Sequence, residues 1–314
     1  MDAGDRELFG ASLHAVVAVH TGSALDAALD QLGWPEALAS DPEAAVSLLF
    51  ELQGSVAATS SALDRVLLSA LGCEPSVGVV LPRLGSWAAP GDVSGEGVSV
   101  RGLGTAGLGR CERAVVVAGS WLVDVAVADL ALRPVGGLDP ELGLVEVTGS
   151  AVGAVTRAEL SPATWADAVA RAQLAVTHEL VGVARTMLRL ARDHALDRVQ
   201  FGQPIARFQA VRHRLAESLV AIEAADGALV AAWRDGTPLT AGLAKALAGR
   251  GARVTAKHCQ QVLAGIGFTT EHDLHRYVRR ALVLDHLLGD ARTLTHHLGT
   301  ELLRSRTLPS LLPL

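Results

Sequence analysis

The 314-residue chain contains few cysteines, few aromatic residues and no excess of basic charge. Its three cysteines, Cys73, Cys111 and Cys259, are far apart and lack C-x-x-C spacing, so we expect neither a disulfide framework nor a zinc site. The 27 Lys and Arg are outnumbered by 33 Asp and Glu, and the net charge of -6 provides no field that attracts nucleic acid or an anionic membrane. We therefore expect a cytoplasmic protein without a nucleic-acid partner.

Long hydrophobic runs are absent from the sequence as well. The most apolar stretch, Ala114 to Val123, is only ten residues long before Asp124, whereas a bilayer-spanning helix needs roughly 20. The acidic N-terminus, MDAGDRELFG, differs from the basic start of a secretory signal. We expect neither export nor a membrane partner.

Apolar residues nevertheless make up 50% of the sequence, enough for a substantial core, and their spacing divides the chain into three parts. Residues 1–72 have the spacing of short helices, with breaks predicted at Gly33, Pro42 and Gly54. From residue 73 to 160 glycines are frequent and valines cluster, which predicts a small sheet or barrel. Helical spacing returns from residue 161 to 314.

Four apolar stripes predict four helices in this C-terminal part. They comprise residues 176–190, 211–229, 243–262 and 274–288. Gly249 and Gly251 weaken the third helix. Because antiparallel helices of this kind form a four-helix bundle, the predicted fold is mainly α with a small central β domain.

The segment RVQFGQPIARFQ, from Arg198 to Gln209, separates the first two of these helices and carries the most informative chemistry. An arginine can donate two hydrogen bonds to a phosphate, a glycine allows close approach of the backbone, and an exposed Phe offers its ring face to a base. The same residue types are common in plain helix-connecting loops. From the residues alone, both a phosphate-binding segment and an ordinary loop remain open.

This segment resembles the RxxFGxPxxxxQ signature of acyl-CoA dehydrogenases. A second segment, QVLAGIGFTTEHDLHRYVRRA from Gln261 to Ala281, is similar to the family's QxxGGxGxxxExxxxRxxR pattern. The resemblance is good from about Pro162 to Leu298, weaker in the N-terminal helices and poor in the middle. It implies a shortened N-terminal helical region (1–72), a reduced central β domain (73–160) and a C-terminal four-helix bundle (161–314), the order that composition also indicates.

The resemblance further implies an FAD cofactor whose adenosine diphosphate (ADP) half is contacted by this chain. Seven residues match the family's contact positions: Arg198, Gln200, Phe201, Gln209, Gln261, Ala264 and Gly265. In the family these contacts are made to an FAD held mainly by a neighbouring subunit. The resemblance therefore also implies an oligomer.

A member of this family needs a carboxylate that removes the α-proton of its acyl-CoA substrate. The two positions that carry the glutamate in the family correspond to Leu288 and Ala172, neither of which can accept a proton. Among nearby carboxylates, Glu179 and Asp285 are interpreted as ordinary helix charges, and Asp290 matches a position that helps to close the flavin site. The catalytic residue of this chain is therefore unassigned.

The middle of the chain departs further from the family. We identify no counterpart of the family's TEPxxGSD segment or of its tryptophan-containing strand beside the flavin, and we interpret Trp87 and Trp121 as core residues. The glycine-rich residues 102–109 are interpreted as a β-turn, and the histidines match no metal-ligand spacing, so no metal site is predicted. We do not expect a complete isoalloxazine site in this chain.

These expectations combine into one subunit of an FAD-dependent acyl-CoA dehydrogenase. The chain resembles the short partner chains of heteromeric actinobacterial enzymes that act on steroid-derived CoA thioesters. That resemblance implies a heterotetramer with a homologous acyl-CoA dehydrogenase subunit that supplies the glutamate, a bulky acyl-CoA substrate and an electron transfer flavoprotein as acceptor. Two alternatives remain: a homo-oligomeric dehydrogenase that uses Glu179 or Asp285 as an unorthodox base, and a non-catalytic scaffold subunit.

Overall fold

The computed structural model describes residues 1–94, 97–153 and 156–306. Its N-terminal part is helical, with α1 (Ala3–Val17), α2 (Ser23–Gln31), α3 (Trp34–Ser40), α4 (Pro42–Val56) and α5 (Ala62–Leu71). Helix α4 begins where the sequence predicts, because the Asp41 carboxylate accepts a hydrogen bond from the Ala44 amide and Pro42 occupies the first turn. Gly33 precedes α3 in the left-handed conformation, as a turn there requires.

The middle part forms one sheet. Its described strands are β1 (Gly78–Val79), β2 (Gly91–Ser94), β3 (Gly97–Gly104), β4 (Arg113–Ala118), β5 (Trp121–Ala126), β6 (Ala131–Pro134), β7 (Val145–Gly153) and β8 (Thr156–Glu159). They run in the order β6-β7-β3-β2-β4-β5-β8, and β1 pairs with β4. Side chains alternate as a half-buried strand demands: Val123 and Val125 of β5 are fully buried, whereas Leu122 and Asp124 are partly exposed.

The C-terminal part is again helical, with α6 (Pro162–Asp197), α7 (Gln209–Asp235), α8 (Pro238–Leu263), α9 (Leu274–His286) and α10 (Ala291–Ser305). Helix α6 is 36 residues long and is the central element, since it packs against α4, α5, α7, α8 and α9. The arrangement confirms the predicted class, mainly α with a small sheet and a C-terminal helical bundle. No helix in the described ranges combines the length and apolar character that crossing a bilayer requires.

Two glycines allow α4 and α6 to cross closely. A Cβ atom at Gly54 would overlap the carbonyl oxygen of Glu179, and one at Gly182 would overlap the carbonyl oxygen of Glu51. The prediction of a helix break at Gly54 is therefore wrong, because this residue lies inside α4. Its missing side chain serves helix packing and does not end the helix.

The predicted third bundle helix is confirmed, and the end of the fourth needs correction. Helix α8 continues through Gly249, whose missing side chain makes room for the Asp285 carboxylate. The fourth predicted helix ends at His286 and not at Leu288, because Leu288 has a φ of 60° in the turn that leads to α10. Left-handed backbone at a bulky residue ends a helix.

One apolar cluster joins all three parts of the chain. Val115 and Val117 of β4 belong to the cluster that includes the N-terminal helices and the bundle, whereas Val116 faces a second cluster inside the sheet region. The sheet begins after α5 and ends before α6, so the element types match the predicted segments. Their division into domains at residues 72 and 160 stays a prediction, because the larger cluster is continuous across both boundaries.

Candidate cofactor-binding site

The segment that carries the family signature folds as a β-hairpin between α6 and α7. Strand β9 (Val199–Gln200) pairs in antiparallel fashion with β10 (Gln203–Pro204). The amide of Ile205 donates a hydrogen bond of 2.8 Å to the Arg198 carbonyl, which closes the base of the hairpin. The segment is therefore a hydrogen-bonded projection and not a plain connecting loop.

Two residues in the left-handed conformation form the tip of this hairpin. Phe201 has a φ of 54° and Gly202 a φ of 76°, as a two-residue hairpin turn requires at both positions. The Phe201 side chain is 92% exposed, and its ring lies edge-on to that of Phe208 with 6.1 Å between the centroids. Neither the turn nor the core requires this aromatic ring, so its face is available to a ligand, and its contact with a cofactor stays a prediction.

Two adjoining clefts lie beside the hairpin and share Gln200. The first, of about 500 Å³, is bounded by Arg198 and by Ala264 and Gly265. The second, of about 400 Å³, is bounded by Phe201 and Gln261. Six of the seven predicted contact residues therefore line one region, which we call the clamp.

Gln209 is the predicted contact residue that lies outside both clefts. It is the first residue of α7, and its Nε2 lies 3.4 Å from Nε2 of His213. Its role toward a cofactor stays a prediction.

The end of α8 shapes the opposite wall of the clamp. Ala264 ends this helix with a φ of 53° and a ψ of -134°, a combination that residues with a side chain rarely adopt. The turn leaves Gly265 exposed, and a Cβ atom there would meet nothing within 4 Å. The backbone beside Gly265 is thus open to a ligand.

The clamp is positively charged. Arg198 borders the first cleft and Arg214 the second, and none of the described residues that line them is an Asp or Glu. Within the described ranges Arg198 has no ion-pair partner. The pKa of His194 is lowered by burial first, then by His272 and then by the positive charge of Arg198. Because a free guanidinium in a cleft without carboxylates favours phosphate, these residues fit the ADP half of an FAD.

The two positions that the resemblance matches to the family's catalytic glutamate are completely buried. Leu288 and Ala172 are both 0% exposed. The carbonyl of Leu288 accepts a hydrogen bond of 3.0 Å from Nε2 of Gln173, which fixes the turn after α9. These positions provide neither a proton acceptor nor access for a substrate.

Glu179 is engaged in an interior ion pair. Its carboxylate lies 3.3 Å from Nη1 of Arg280, and both side chains are less than one tenth exposed. Burial raises the pKa of Glu179 to about 7, although the charge of Arg280 opposes this shift. The value suits a general base, but the carboxylate lines neither cleft of the clamp and is committed to Arg280.

The other two candidate carboxylates have structural partners. Asp285 is fully buried, pairs with Nη2 of Arg253 at 3.0 Å and accepts a hydrogen bond from the first amide of α10. Asp290 caps α10 by accepting hydrogen bonds from the Arg292 and Thr293 amides. Neither side chain is free to take a proton from a substrate.

Trp87 and Trp121 do not line the clamp. In the part of the chain that the structure describes, no group of three His, Cys, Asp or Glu is placed to hold a metal ion. The interpretation of Trp121 as a core residue is wrong, since its side chain is 36% exposed on β5. Trp87 is partly buried and lies against His297, with 5.2 Å between the ring centroids.

Comparison with known proteins adds independent information about the bundle. Residues 164–303 match the family model described as "Acyl-CoA dehydrogenase, C-terminal domain". These residues, somewhat less than half of the chain, are similar to the C-terminal domain of acyl-CoA dehydrogenases. They contain the hairpin, the clamp, and Leu288 and Ala172, the two positions that the resemblance matches to the family's glutamate.

Individual acyl-CoA dehydrogenases are similar to this chain in sequence or in structure. Acyl-CoA dehydrogenase FadE34 of Mycobacterium tuberculosis is 40% identical over 179 residues, which are 54% of this chain but only 25% of FadE34. The ChsE4-ChsE5 complex of Mycobacterium tuberculosis has a TM-score of 0.74 at 21% identity, with 99% of both chains covered. A variant of the Tcur3481-Tcur3483 steroid ACAD has a TM-score of 0.77 at 23% identity, with 96% of both chains covered. The structural likeness establishes the acyl-CoA dehydrogenase fold.

The loop after β1 shares part of the spacing of the acyl-CoA dehydrogenase TEPxxGSD pattern. After β1 the chain reads LPRLGSW, which keeps the P-x-x-G-S of the TEPxxGSD pattern at Pro82, Gly85 and Ser86. The amide of Gly85 donates a hydrogen bond of 2.7 Å to the carbonyl of His286, so this loop is fastened to the end of α9. Trp87 stands in place of the final acidic residue. Both acidic residues of the pattern are absent from this loop, so the lack of a full counterpart stays a prediction.

Proposed function

We propose that this chain is one subunit of a heteromeric acyl-CoA dehydrogenase and contributes its clamp to an FAD held mainly by a homologous partner subunit. The observation that carries the proposal is the combination of an open, positively charged clamp around Arg198 with sealed, apolar residues at Leu288 and Ala172. In this proposal the described residues of the chain hold the ADP half of the cofactor and do not move the proton. The partner subunit supplies the catalytic glutamate.

Each clamp residue has a defined task in this proposal. Arg198 donates hydrogen bonds to the pyrophosphate, Phe201 presents its exposed ring, and the Gln261 side chain with the turn at Ala264 and Gly265 encloses the adenosine. When bound, the FAD supplies the hydride acceptor for oxidation of the substrate's CH–CH bond. The residues of this chain bind and orient that cofactor without touching the reacting carbons.

The bundle offers a surface for the partner subunit. Helix α7 exposes the side chains of Leu219, Val220 and Val230 by 48%, 68% and 47%, and α8 exposes that of Leu243 by 43%. Apolar side chains at this exposure favour contact with another chain. Two structurally similar proteins are named as pairs, ChsE4-ChsE5 and Tcur3481-Tcur3483, which supports assembly with a homologous subunit into a heterotetramer.

The proposed substrate is a bulky acyl-CoA of the steroid-derived kind, with an electron transfer flavoprotein as the electron acceptor. One similar structure is that of a steroid ACAD, which supports this substrate class. The physical reason is space: a pair of subunits with only one working active site leaves room that a polycyclic acyl group can occupy.

The test of the clamp compares two arginines of the same loop. In the co-purified complex, Arg198→Ala should weaken FAD binding by roughly ten- to hundredfold, since a charge-assisted hydrogen bond contributes about 1.5 to 3 kcal/mol. Arg207→Ala is the matched control, because Arg207 is exposed in the short turn before α7 and lines neither cleft. Helical content should be unchanged in both variants. Equal FAD affinity for the two variants would exclude the clamp and favour the scaffold alternative.

A further inference from the structure

The side chain of His194 borders the first cleft of the clamp but is not among the predicted contact residues. It lies in the last turn of α6 and lines the cleft together with Arg198. The amide of Arg198 donates a hydrogen bond of 2.9 Å to the His194 carbonyl, which fixes the backbone between the two residues. The cleft therefore contains a titratable side chain beside a permanent cation.

The imidazole of His194 is available to a ligand. It is partly buried, and neither ring nitrogen has a hydrogen-bond partner among the described residues. Its ring lies edge-on to that of His272, with 6.4 Å between the centroids. Nδ1 of His272 accepts a hydrogen bond of 3.1 Å from the Leu274 amide, so His272 is engaged at the start of α9. His194 is therefore the histidine of this pair that can bind a group in the cleft.

The groups around His194 favour its neutral form. Burial lowers the pKa of His194 most, followed by His272 and by the positive charge of Arg198, whereas Asp197 at the end of α6 opposes the shift. The neighbouring carboxylate of Asp193 is paired with two arginines of the same helix. The described side chains that α8 and the turn after it place in the cleft wall carry no charge. Because none of the described residues that line the cleft is an Asp or Glu, His194 has no counterion there.

A pyrophosphate in the cleft would supply that counterion. Its negative charge favours the protonated imidazole, in which both ring nitrogens are donors, and the C-terminal end of α6 also favours a cation. We propose that His194 is a phosphate-binding residue of the clamp, and that FAD binding draws a proton from solvent onto its imidazole. The imidazolium donates a hydrogen bond to the pyrophosphate beside Arg198. This inference rests on the proposed function and makes binding of the cofactor dependent on pH.

The direction of this dependence follows from the protonation of the two states. The pyrophosphate of FAD is esterified on both sides and carries no group that titrates near neutral pH, so the proton has to be bound by the protein. FAD affinity is greatest below the pKa that His194 has in the chain by itself. It decreases as the pH rises through the higher pKa that His194 has beside the pyrophosphate.

The pH dependence of FAD binding tests this coupling in the complex with the co-purified partner subunit, after its FAD has been removed. Between about pH 6 and pH 8 the affinity of the natural complex should fall roughly three- to tenfold. His194→Gln keeps a polar side chain that cannot titrate, so this fall should disappear and binding at the lower pH should weaken by the same factor. His296→Gln on the exposed surface of α10 is the matched control and should retain the natural dependence. Groups of the partner subunit contribute equally to all three complexes and cancel in the comparison.

Calorimetry separates proton uptake from a merely structural effect of the substitution. The binding enthalpy is measured in two buffers with different ionisation enthalpies, and the difference gives the number of protons taken up for each FAD. Near neutral pH the natural complex should take up a fraction of a proton, and the His194→Gln complex should take up less by that fraction. A substitution that only disturbs packing would change the affinity without changing this number.

Two results would overturn the role of His194 while leaving the clamp in place. The first is equal proton uptake by the natural and His194→Gln complexes, and the second is no proton uptake by the natural complex. The second result requires no variant, so the test holds even if His194→Gln fails to assemble. Absence of FAD binding at every pH would instead contradict the proposed function together with this inference.

Discussion

The guanidinium of Arg280 lies 3.3 Å from the carboxylate of Glu179 in the interior of the protein. Arg280 also pairs with Asp139 and donates to the carbonyl of Ala58, 222 residues away in sequence. One buried side chain of α9 thereby connects the N-terminal helices, the sheet region and α6. Glu179 has a pKa near 7, but its carboxylate faces the permanent cation of Arg280. We therefore interpret Glu179 as a structural residue.

Removal of this arginine should be severely destabilising. Arg280→Met leaves two buried carboxylates without their cation, and we expect the free energy of unfolding to fall by about 3–5 kcal/mol in urea denaturation. Arg279→Met is the control, because Arg279 is exposed, and it should change stability by less than about 0.5 kcal/mol. Similar losses in both variants would show that the buried network contributes little.

Asp64 should make stability depend on pH. Its side chain is buried, accepts a hydrogen bond of 2.6 Å from Thr105, and has a pKa raised by burial from 3.8 to about 7. Between these values the native state retains a proton that the unfolded state releases, so this group destabilises the protein progressively as the pH rises from about 4 to 7.

The variant Asp64→Asn removes that titration. Its free energy of unfolding relative to the natural chain should rise between pH 4 and 7, by no more than about 1.4 kcal/mol per unit of the pKa shift. Burial lowers the pKa of His178 to about 4, so this residue makes the native state more stable as the pH rises. Its contribution is the same in both proteins and cancels in the comparison. If the free energies of unfolding of the two proteins changed equally with pH, the pKa of Asp64 would not be raised.

The crossing of α4 and α6 should not tolerate a side chain at Gly54. Gly54→Ala forces a Cβ atom against the Glu179 carbonyl, and we expect a loss of about 1–3 kcal/mol in thermal or urea unfolding. Gly227→Ala in the exposed middle of α7 should instead gain up to about 1 kcal/mol from helix propensity. A neutral Gly54→Ala would mean that the two helices can separate without cost.

A substitution at the hairpin tip should weaken FAD binding without lowering the stability of the protein. Phe201→Gly relieves a strained φ of 54° and removes a ring that is 92% exposed, so unfolding stability should stay within about 1 kcal/mol or increase. Loss of the aromatic face should nevertheless weaken FAD binding to the complex by at least roughly fivefold, a contribution of about 1 kcal/mol. An unaltered FAD affinity would remove Phe201 from the clamp.

Local patterns account for the part of the fold that the sequence predicted. Apolar spacing identified the long helices, and the break predicted at Pro42 coincides with the start of α4, because both depend on residues that are close in sequence. Gly54 and Leu288 misled the prediction for one reason: the role of each is set by a distant partner, the Glu179 carbonyl for the first and the turn fixed by Gln173 for the second. Strand order is likewise set by long-range pairing.

The same distinction applies to the candidate sites. Most of the clamp was predictable because Arg198, Gln200 and Phe201 lie in one short motif. The Arg280 network and the approach of His194 to His272 were not, since they require apposition of elements that are far apart in the sequence.

The central claim is that the chain completes a flavin site in another subunit. The most direct measurement is the amount of FAD released by denaturation, relative to total chains, for the chain alone and for the complex with its partner. The proposal assigns the base to the partner and the clamp to this chain, whose Leu288 and Ala172 are buried and cannot accept a proton, so it predicts that the chain alone is nearly colourless and inactive toward acyl-CoA. The complex, with two copies of each subunit, should contain one FAD for each pair of chains. A yellow, active homo-oligomer with one FAD per chain would contradict the account and return Glu179 and Asp285 as the candidate bases.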